Sequence, residues 1–432
     1  MTAWIRIAAS ILVAATLTAC GTDGGGGEAA REPTTDLPRA LAVHEAAVAD
    51  ASAGFGLELA ARIAALDSRP NIVLSPLSAS MALGMAMNGA SGATFEEMRS
   101  ALGFGGLTQE QINTAYRGLI DLLAGLDPDI RLEIANAVWA NEDVPFHEAF
   151  LEAVTGAFGA RAESVSFADP TTPAAINEWV AEHTNGRIER IVDVLDPSLV
   201  MLLVNAVYFE GAWTTQFDPA NTRPGAFRRE DGSEVEVDMM SLGNVEVLRA
   251  RGASYTAVEL PYGNESFAAV IVLPDPGVGA RDVLAGLDAE EWSSVLERLA
   301  PDRLDLLSIP KFTLTFDAYL NDALKAMGME RAFGPDADFT RMSPLGRQMC
   351  IDFVRQKTLI ELDERGTRAA AATSVGVGIL SFNGFVADRP FVFVIRERRS
   401  GAVLFVGLVG DPAGEDPGPA PIVSDCTGNV LP

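Results

Sequence analysis

The chain has 432 residues, of which 48% are hydrophobic, so it can bury a sizeable core in one large domain or in two or three smaller ones. Its formal net charge of −27 argues against nucleic acids and anionic membrane surfaces as partners, because both are themselves negatively charged.

The N-terminus has the pattern of a secretory signal. Arg6 precedes a short apolar run over residues 7–17, which is too short to span a membrane. The tetrapeptide LTAC, which ends at Cys20, resembles the lipobox of bacterial lipoproteins, in which the cysteine is lipidated. We therefore expect a lipoprotein-type signal peptide over residues 1–19. After secretion across the inner membrane, lipid on Cys20 would anchor the protein in the bacterial envelope or at the cell surface. An ordinary cleaved signal is the alternative.

Two segments flank the expected domain. Residues 20–36 are rich in glycine and predict a flexible tether, and residues 413–432 form a C-terminal tail rich in proline and glycine. Between them there is no internal repeat and no linker, which favours a single domain over residues 37–412. Cys350 and Cys426 remain after processing, and in an oxidising compartment such a pair more often forms one disulfide than two free thiols.

Helical patterns dominate the first third of the chain. Residues 77–90 are rich in small residues and hydrophobic on all sides, which predicts a buried helix. Thr94, followed three residues later by Glu97, has the pattern of a capping box at a helix start. The predicted helices cover residues 37–66, 77–90, 94–102, 173–191 and 319–327.

Strand patterns dominate the middle and the end of the chain. The apolar run over residues 201–209 is strongly strand-like, and we expect it to be central in its sheet. Strands and helices occur in groups and do not alternate singly, which favours an α+β fold over a doubly wound sheet. The predicted strands cover residues 71–74, 132–139, 201–209, 211–217, 234–240, 257–260, 267–273, 306–315, 356–362 and 391–395.

The sequence lacks the common catalytic and cofactor motifs. It has no zinc-protease helix, nucleophile elbow, phosphate-binding loop or Cys-x-x-Cys pair. The three histidines, His44, His147 and His183, lack metal-ligand spacing and are interpreted as surface or capping residues. We therefore expect no enzymatic activity, no metal and no cofactor.

A long segment over residues 363–388 separates two predicted strands, and such a loop in a compact chain is often functional. From Thr367 to Ile379 every second residue is small or apolar, which is the period of a strand with one buried face. Residues 369–372 are all alanine and also favour a helix, so the residues alone leave a short surface helix open.

Several ordered motifs resemble those of the serpin family, and together they cover residues 41–412. Two positions depart from the family pattern: Arg368 stands where most members carry an acidic residue, and Gln356 replaces a common histidine. The motifs are NIVLSPLS from Asn71, NAVYFEGAW from Asn205, ELPY from Glu259, IPKF from Ile309, RPFVF from Arg389 and LFVG from Leu404.

The resemblance implies a serpin fold with three β-sheets, about nine helices and an exposed reactive-centre loop. It further implies a monomer whose loop is attacked by a target serine protease. The covalent acyl-enzyme is then trapped when the cleaved loop inserts into the main sheet, a serpin mechanism that is well established. The implied hinge residues are Glu364, Gly366, Thr367, Ala369, Ala370, Ala371, Ala372 and Thr373.

Counting along the hinge places the reactive bond between Leu380 and Ser381, with Ile379–Leu380 as the alternative. A leucine at this position implies a protease with an apolar recognition pocket, such as a chymotrypsin-, elastase- or subtilisin-like enzyme. No lysine or arginine lies between Arg368 and Arg389, which disfavours a trypsin-like target. A non-inhibitory serpin that acts as a binding module, an inhibitor of cysteine proteases and an unrelated hydrolase are the other possibilities.

Overall fold

Helices and strands follow one another in groups along the computed structural model, which describes residues 36–365, 382–416 and 418. The α-helices in this part of the chain are α1 (Val43–Leu66), α2 (Pro76–Gly89), α3 (Gly92–Ala101), α4 (Gln109–Leu123), α5 (Glu148–Phe158), α6 (Thr172–His183), α7 (Ala280–Gly286), α8 (Ala289–Arg298) and α9 (Asn321–Ala326). The strands are β1 (Asn71–Leu74), β2 (Arg131–Asn141), β3 (Arg161–Val165), β4 (Met201–Glu210), β5 (Arg223–Arg228), β6 (Glu234–Arg251), β7 (Tyr255–Tyr262), β8 (Phe267–Pro274), β9 (Ala300–Pro310), β10 (Phe312–Tyr319), β11 (Arg355–Leu362), β12 (Gly384–Val386), β13 (Phe391–Glu397) and β14 (Val403–Val409).

The largest sheet has nine strands, in the order β1-β14-β13-β8-β7-β6-β9-β12, with β5 paired to the other end of β6. All residues of β8, β13 and β14 are buried, which explains why these strands are continuous apolar runs. Two smaller sheets complete the fold: β3-β2-β4, and the pair β10-β11. Nine helices and three sheets within the described residues confirm the predicted α+β serpin fold.

Helix α2 lies in the centre of the core, as its uniformly apolar pattern predicts. Thirteen of its residues are buried, and α1 packs closely against its first turn. Gly56 of α1 permits this approach, because a Cβ atom there would lie 2.1 Å from the Cβ atom of Pro76. Within the described residues, no helix combines the length and apolar content that crossing a membrane requires.

Three predicted helix boundaries are wrong. The first helix begins at Val43 and not at 37, because the Glu45 carboxylate accepts from the Ala42 amide at 2.7 Å and caps the helix there. The predicted capping box of Thr94 and Glu97 does not form. Helix α3 begins before both residues, and these side chains instead accept hydrogen bonds from Asp338 N and Arg331 N.

The helix predicted over residues 173–191 ends at His183. Asn185 and Gly186 adopt left-handed φ angles of 52° and 73°, which stop the helix. Ile188 was expected to lie on this helix, and it packs into the same small core as Trp179 from the segment that follows.

Two predicted strands also differ. Residues 211–217 form only an isolated bridge, Trp213 to Tyr262, because the chain turns across the end of β7 there. The strand predicted over 306–315 is two strands that break at Lys311. Before the break β9 pairs with β6, and after it β10 pairs with β11.

Strand β4 is the most informative correction. Its sequence predicts a central strand, but the structure places it at the edge of the β3-β2-β4 sheet. Alternate β4 residues are buried, so one face covers the core. The apolar run indicates a strand, but it does not reveal whether that strand has one neighbour or two.

Candidate functional site

Strands β4 and β11 are both edge strands in the part of the chain that the structure describes. Within the described residues β4 pairs only with β2, and β11 pairs only with β10. Each strand therefore leaves one row of backbone donors and acceptors without a ladder partner, which is the feature that lets a sheet accept another strand.

The two strands run in the same direction, side by side. At their far ends, Trp213, which follows β4, donates through Nε1 to the carbonyl of Asp363, which follows β11, at 2.9 Å. At their near ends, the first residues of both strands line one cavity. A chain segment that turned back from the end of β11 into the space between them would run antiparallel to both.

An anchor of buried and charged side chains fixes the point where the chain leaves β11. Trp213 is 3% exposed, and its indole stacks on Tyr262 with ring centroids 4.2 Å apart. Glu364 accepts from Lys311 Nζ at 2.9 Å and from Thr222 Oγ1 at 2.8 Å. The hinge therefore begins at a defined position at the top of the space between β4 and β11.

The charge of Glu364 is stabilised in this anchor. Burial raises the pKa of its carboxyl, but the hydrogen bonds from Lys311 and Thr222 outweigh that effect, so the pKa lies below its ordinary value of 4.5. The same contact, mainly the hydrogen bond to Glu364, raises the pKa of Lys311 above 10.5. Both groups are therefore charged at neutral pH.

A cavity of about 440 Å³ lies at the opposite end, between the first residues of β4 and β11 and above α2. Most of its lining is apolar, and Asn205 and Gln356 are among its polar lining residues. The apolar lining residues include Ala82, Leu83, Ala86, Leu203, Phe339 and Met342.

Gln356 and Asn205 differ in how well their polar atoms are satisfied. Gln356 accepts from Ser75 N at 3.0 Å and donates to Ser75 O at 2.9 Å, which joins β11 to the start of α2. Asn205 donates to Asn136 Oδ1 at 2.5 Å, and in the described part of the chain its own Oδ1 is buried without a hydrogen-bond partner. The wall of the cavity formed by β4 thus carries an unused acceptor.

The linker between α6 and β4 ties α6 to β11. Asn177 of α6 accepts from Ile191 N at 2.8 Å and donates to Val192 O at 2.6 Å. On the other side, Arg355 and Lys357 of β11 donate to the carbonyls of residues 191 and 190, each at 3.0 Å. The linker is therefore held from both sides.

Strand β12 fixes the far side of the predicted loop. It pairs in parallel with β9, with Gly384 opposite Leu306, and Phe385 is 2% exposed. Asn383 N donates to Asp305 Oδ2 at 2.9 Å just before this strand. Glu364 and Asn383 are thus firmly held on either side of the segment that contains the predicted reactive bond.

Most of the predicted site residues lie outside the described residues. Glu364 is described and lies in the anchor, and Cys350 is described and lines the cavity. The residues outside are Cys20, Gly366, Thr367, Ala369, Ala370, Ala371, Ala372, Thr373, Leu380, Ser381 and Cys426, with the alternative Ile379. The reactive bond, the lipid anchor and the Cys350–Cys426 disulfide therefore stay predictions.

Sequence reasoning did not assign the residues that hold the two ends of the loop. Trp213 and Lys311 belong to motifs quoted above, but their contacts with residues 363 and 364 were not foreseen. Thr222 lies 142 residues from Glu364 in sequence, and no local pattern indicates that they meet. The role of Asn383 was not foreseen either, because no strand was predicted over residues 384–386, where the structure has β12.

Comparison with known proteins identifies the fold family. The family model described as Serpin (serine protease inhibitor) matches residues 50–412. The leukocyte elastase inhibitor of Sus scrofa is 33% identical over 384 residues, which are 84% of this chain and 98% of that protein.

Solved structures agree with this assignment. The native state of tengpin, a thermophilic serpin, superposes with a TM-score of 0.76 at 29% identity, covering 88% of this chain and 97% of that one. Human thyroxine-binding globulin in complex with its ligand gives a TM-score of 0.77 at 26% identity, covering 86% of this chain and 100% of that one. The chain therefore belongs to the serpin family of serine protease inhibitors.

Proposed function

We propose that this serpin is a suicide-type inhibitor of serine endopeptidases that have an apolar recognition pocket. The observation that carries the proposal is that β4 and β11 run in the same direction and that each has one side without a ladder partner among the described residues. The loop that contains the predicted reactive bond begins at the end of β11. It is thus connected directly to the place where a new strand can pair on both sides.

In the proposed reaction, the target protease first cleaves the loop as it would cleave a substrate. The protease serine attacks the Leu380 carbonyl, the bond to Ser381 breaks, and an acyl-enzyme ester remains on Leu380. Cleavage frees the hinge segment to enter between β4 and β11, antiparallel to both, and to carry the acylated protease away from its starting point. Trapping requires this insertion to be faster than hydrolysis of the ester.

The target class follows from the residues around the bond. Leucine fits an apolar pocket, and the absence of Lys and Arg between residues 368 and 389 disfavours trypsin-like enzymes. The similarity to a protein named as an inhibitor of elastase supports the same class of target. Cysteine proteases are secondary candidates.

A binding role without inhibition is the second candidate, since thyroxine-binding globulin, a protein named for a small ligand, shares the fold. The hinge sequence favours inhibition. Thr367, Ala369, Ala371 and Thr373 are small and lie at alternate positions, which suits burial of one face of an inserted strand.

The same proposal places a monomer at the bacterial surface. Lipid on Cys20 and the glycine-rich tether over residues 20–36 would hold the inhibitor in the envelope, where it meets secreted or foreign proteases. Metabolic labelling with a lipid precursor, with Cys20→Ala as the unlabelled control, tests this location.

Incubation with chymotrypsin tests the inhibitor function. We expect a covalent complex that survives SDS, with a C-terminal fragment that begins at Ser381. Cleavage at this bond without a stable complex would contradict the inhibitor function and favour a binding module.

Thr367→Arg tests insertion itself. Arginine at this position would be buried by the inserted strand, so the variant is expected to be cleaved as a substrate without trapping the protease. Ala370→Arg is the matched control, because residue 370 falls on the opposite face by alternation. Equal inhibition by both variants would show that the assignment of the two faces is wrong.

A further inference from the structure

Phe382 is a large apolar side chain that stays 67% exposed just before β12. The next aromatic residue, Phe385, is buried instead. The Phe382 ring lies over the backbone of Gly384, because a Cβ atom at residue 384 would come within 2.3 Å of the ring. Single exposed apolar side chains are common, so this exposure becomes informative only through the residue's position.

The backbone next to this ring is firmly held by Asn383. Its carbonyl accepts from Asp305 N at 2.9 Å, which completes a reciprocal pair with the bond from Asn383 N to the Asp305 carboxylate. The Asn383 side chain donates to Arg303 O at 2.9 Å and accepts from Arg249 Nη1 at 2.7 Å. These contacts to β9 and β6 fix the place from which Phe382 projects.

We propose that Phe382 is a specificity-determining residue, which fills an apolar pocket of the target protease on the leaving-group side of the reactive bond. The proposal rests on the proposed function, under which Phe382 is the second residue after the bond between Leu380 and Ser381. Binding energy from parts of a substrate that do not react raises the rate of attack on the reacting bond. A pre-positioned aromatic ring supplies such energy with little loss of conformational freedom.

The order of the chemical steps limits when Phe382 acts. The protease serine forms its ester with Leu380, and Ser381 leaves as a free amine after taking a proton from the protease. Phe382 stays on the amine side, attached to β12. Movement of the acylated protease with the inserting loop therefore separates it from Phe382. Phe382 influences the attack and has no part in the trap.

The test measures the second-order rate of loop attack and the stoichiometry of inhibition with chymotrypsin and with subtilisin. Phe382→Ala is expected to slow attack by about tenfold or more with at least one protease, at unchanged stoichiometry. The control Leu66→Ala removes a side chain of similar exposure, 63%, at the end of α1 and should change neither quantity. Unchanged attack rates with both proteases, or an effect on stoichiometry alone, would overturn the proposal.

Asn383→Ala tests the positioning of the ring. The variant keeps Phe382 but loses the side-chain bonds to Arg249 and Arg303, so attack on the intact protein should slow. In a synthetic peptide of residues 376–386, which lacks β6 and β9, the same substitution should have no effect. Equal slowing in both contexts would mean that Asn383 contacts the protease directly, and would reject the positioning role.

The inhibitor function and the role of Phe382 can be rejected separately, because they fail in different ways. If the wild-type loop is cut at Leu380–Ser381 and no SDS-stable complex forms, inhibition is rejected, while the effect of Phe382→Ala on cleavage still decides this proposal. If both proteases cut at another bond, or leave the loop intact, the assignment of Phe382 is rejected as well.

Discussion

Glu364 is the residue at which burial, charge and the start of the hinge coincide. Its carboxylate is 10% exposed, while its partner Lys311 is 43% exposed, so the pair is partly screened by solvent. Thr222 supplies the second hydrogen bond from another part of the chain. The ionised carboxylate is therefore the form that the folded protein stabilises.

Glu364→Gln is expected to lower the thermal unfolding midpoint at pH 7, and the difference from wild type should depend on pH. Because the folded pKa of Glu364 is depressed, its contribution is complete above the ordinary value of 4.5 and is lost as the pH falls through the folded value. Thermal melts of both proteins between pH 3 and pH 8 measure this difference. A difference that is constant over the whole range would mean that the charge of Glu364 contributes nothing.

Gln356 shows how one residue can replace the histidine common at this position. Its side-chain amide accepts a hydrogen bond from Ser75 N and donates one to Ser75 O. An amide can do both without gaining or losing a proton. The link between β11 and α2 is thus independent of pH over the range in which a histidine would titrate.

At the scale of elements, sequence periodicity predicts strands well where one face is buried. The alternation of β11 and the continuous apolar runs of β8, β13 and β14 all appear as burial patterns in the structure. The edge position of β4 could not be predicted in this way, because the absence of a neighbour is a property of the tertiary arrangement.

The start of the C-terminal tail covers the outer edge of β10. Asp416 accepts from Arg69 Nη1 at 2.6 Å and from Asp317 N at 2.7 Å. Its carboxylate therefore provides an acceptor for a backbone N–H of β10 that has no ladder partner within the described residues. The guanidinium of Arg69 also lies 4.2 Å from the centroid of the Phe316 ring. The ion pair of Asp416 and Arg69 thus covers the outer edge of β10, which could otherwise pair with a strand of another chain.

Asp416→Ala should lower the free energy of unfolding by about 1–3 kcal/mol, because it leaves the Asp317 amide and part of the Arg69 guanidinium without an acceptor. The neighbouring exposed carboxylate offers a matched control, Glu415→Ala, which should be close to neutral. Denaturant unfolding monitored by fluorescence measures both. Equal effects of the two substitutions would mean that the tail does not stabilise β10.

At the scale of the whole molecule, the motifs predict the family and the fold, but not the contacts that hold the loop. Those contacts join distant parts of the chain: Trp213 to Asp363, Thr222 to Glu364, and Arg249 to Asn383. Local pattern contains no information about such pairs. The anchoring of Glu364 and Asn383, on either side of the loop, therefore emerges only when the chain is folded.

Under the proposed mechanism, the edges of β4 and β11 that are unpaired within the described residues would make the intact chain less stable than the cleaved, inserted form. A segment that entered between β4 and β11 would form ladder hydrogen bonds on both sides, each contributing about 0.5–1.5 kcal/mol. Its small residues would also cover part of the cavity above α2. Glu364 and Asn383 are held on either side of the uncut loop, and under the proposed mechanism cleavage would release one of these two restraints.

Cleavage at Leu380–Ser381 is therefore expected to raise the thermal unfolding midpoint, whereas a nick in an ordinary surface loop leaves it unchanged or lowers it. Differential scanning calorimetry of the intact and cleaved protein measures the change. The Thr367→Arg variant serves as the control, because a buried arginine would oppose insertion and reduce the gain. A cleaved wild-type protein that melts at or below the temperature of the intact form would contradict insertion between β4 and β11.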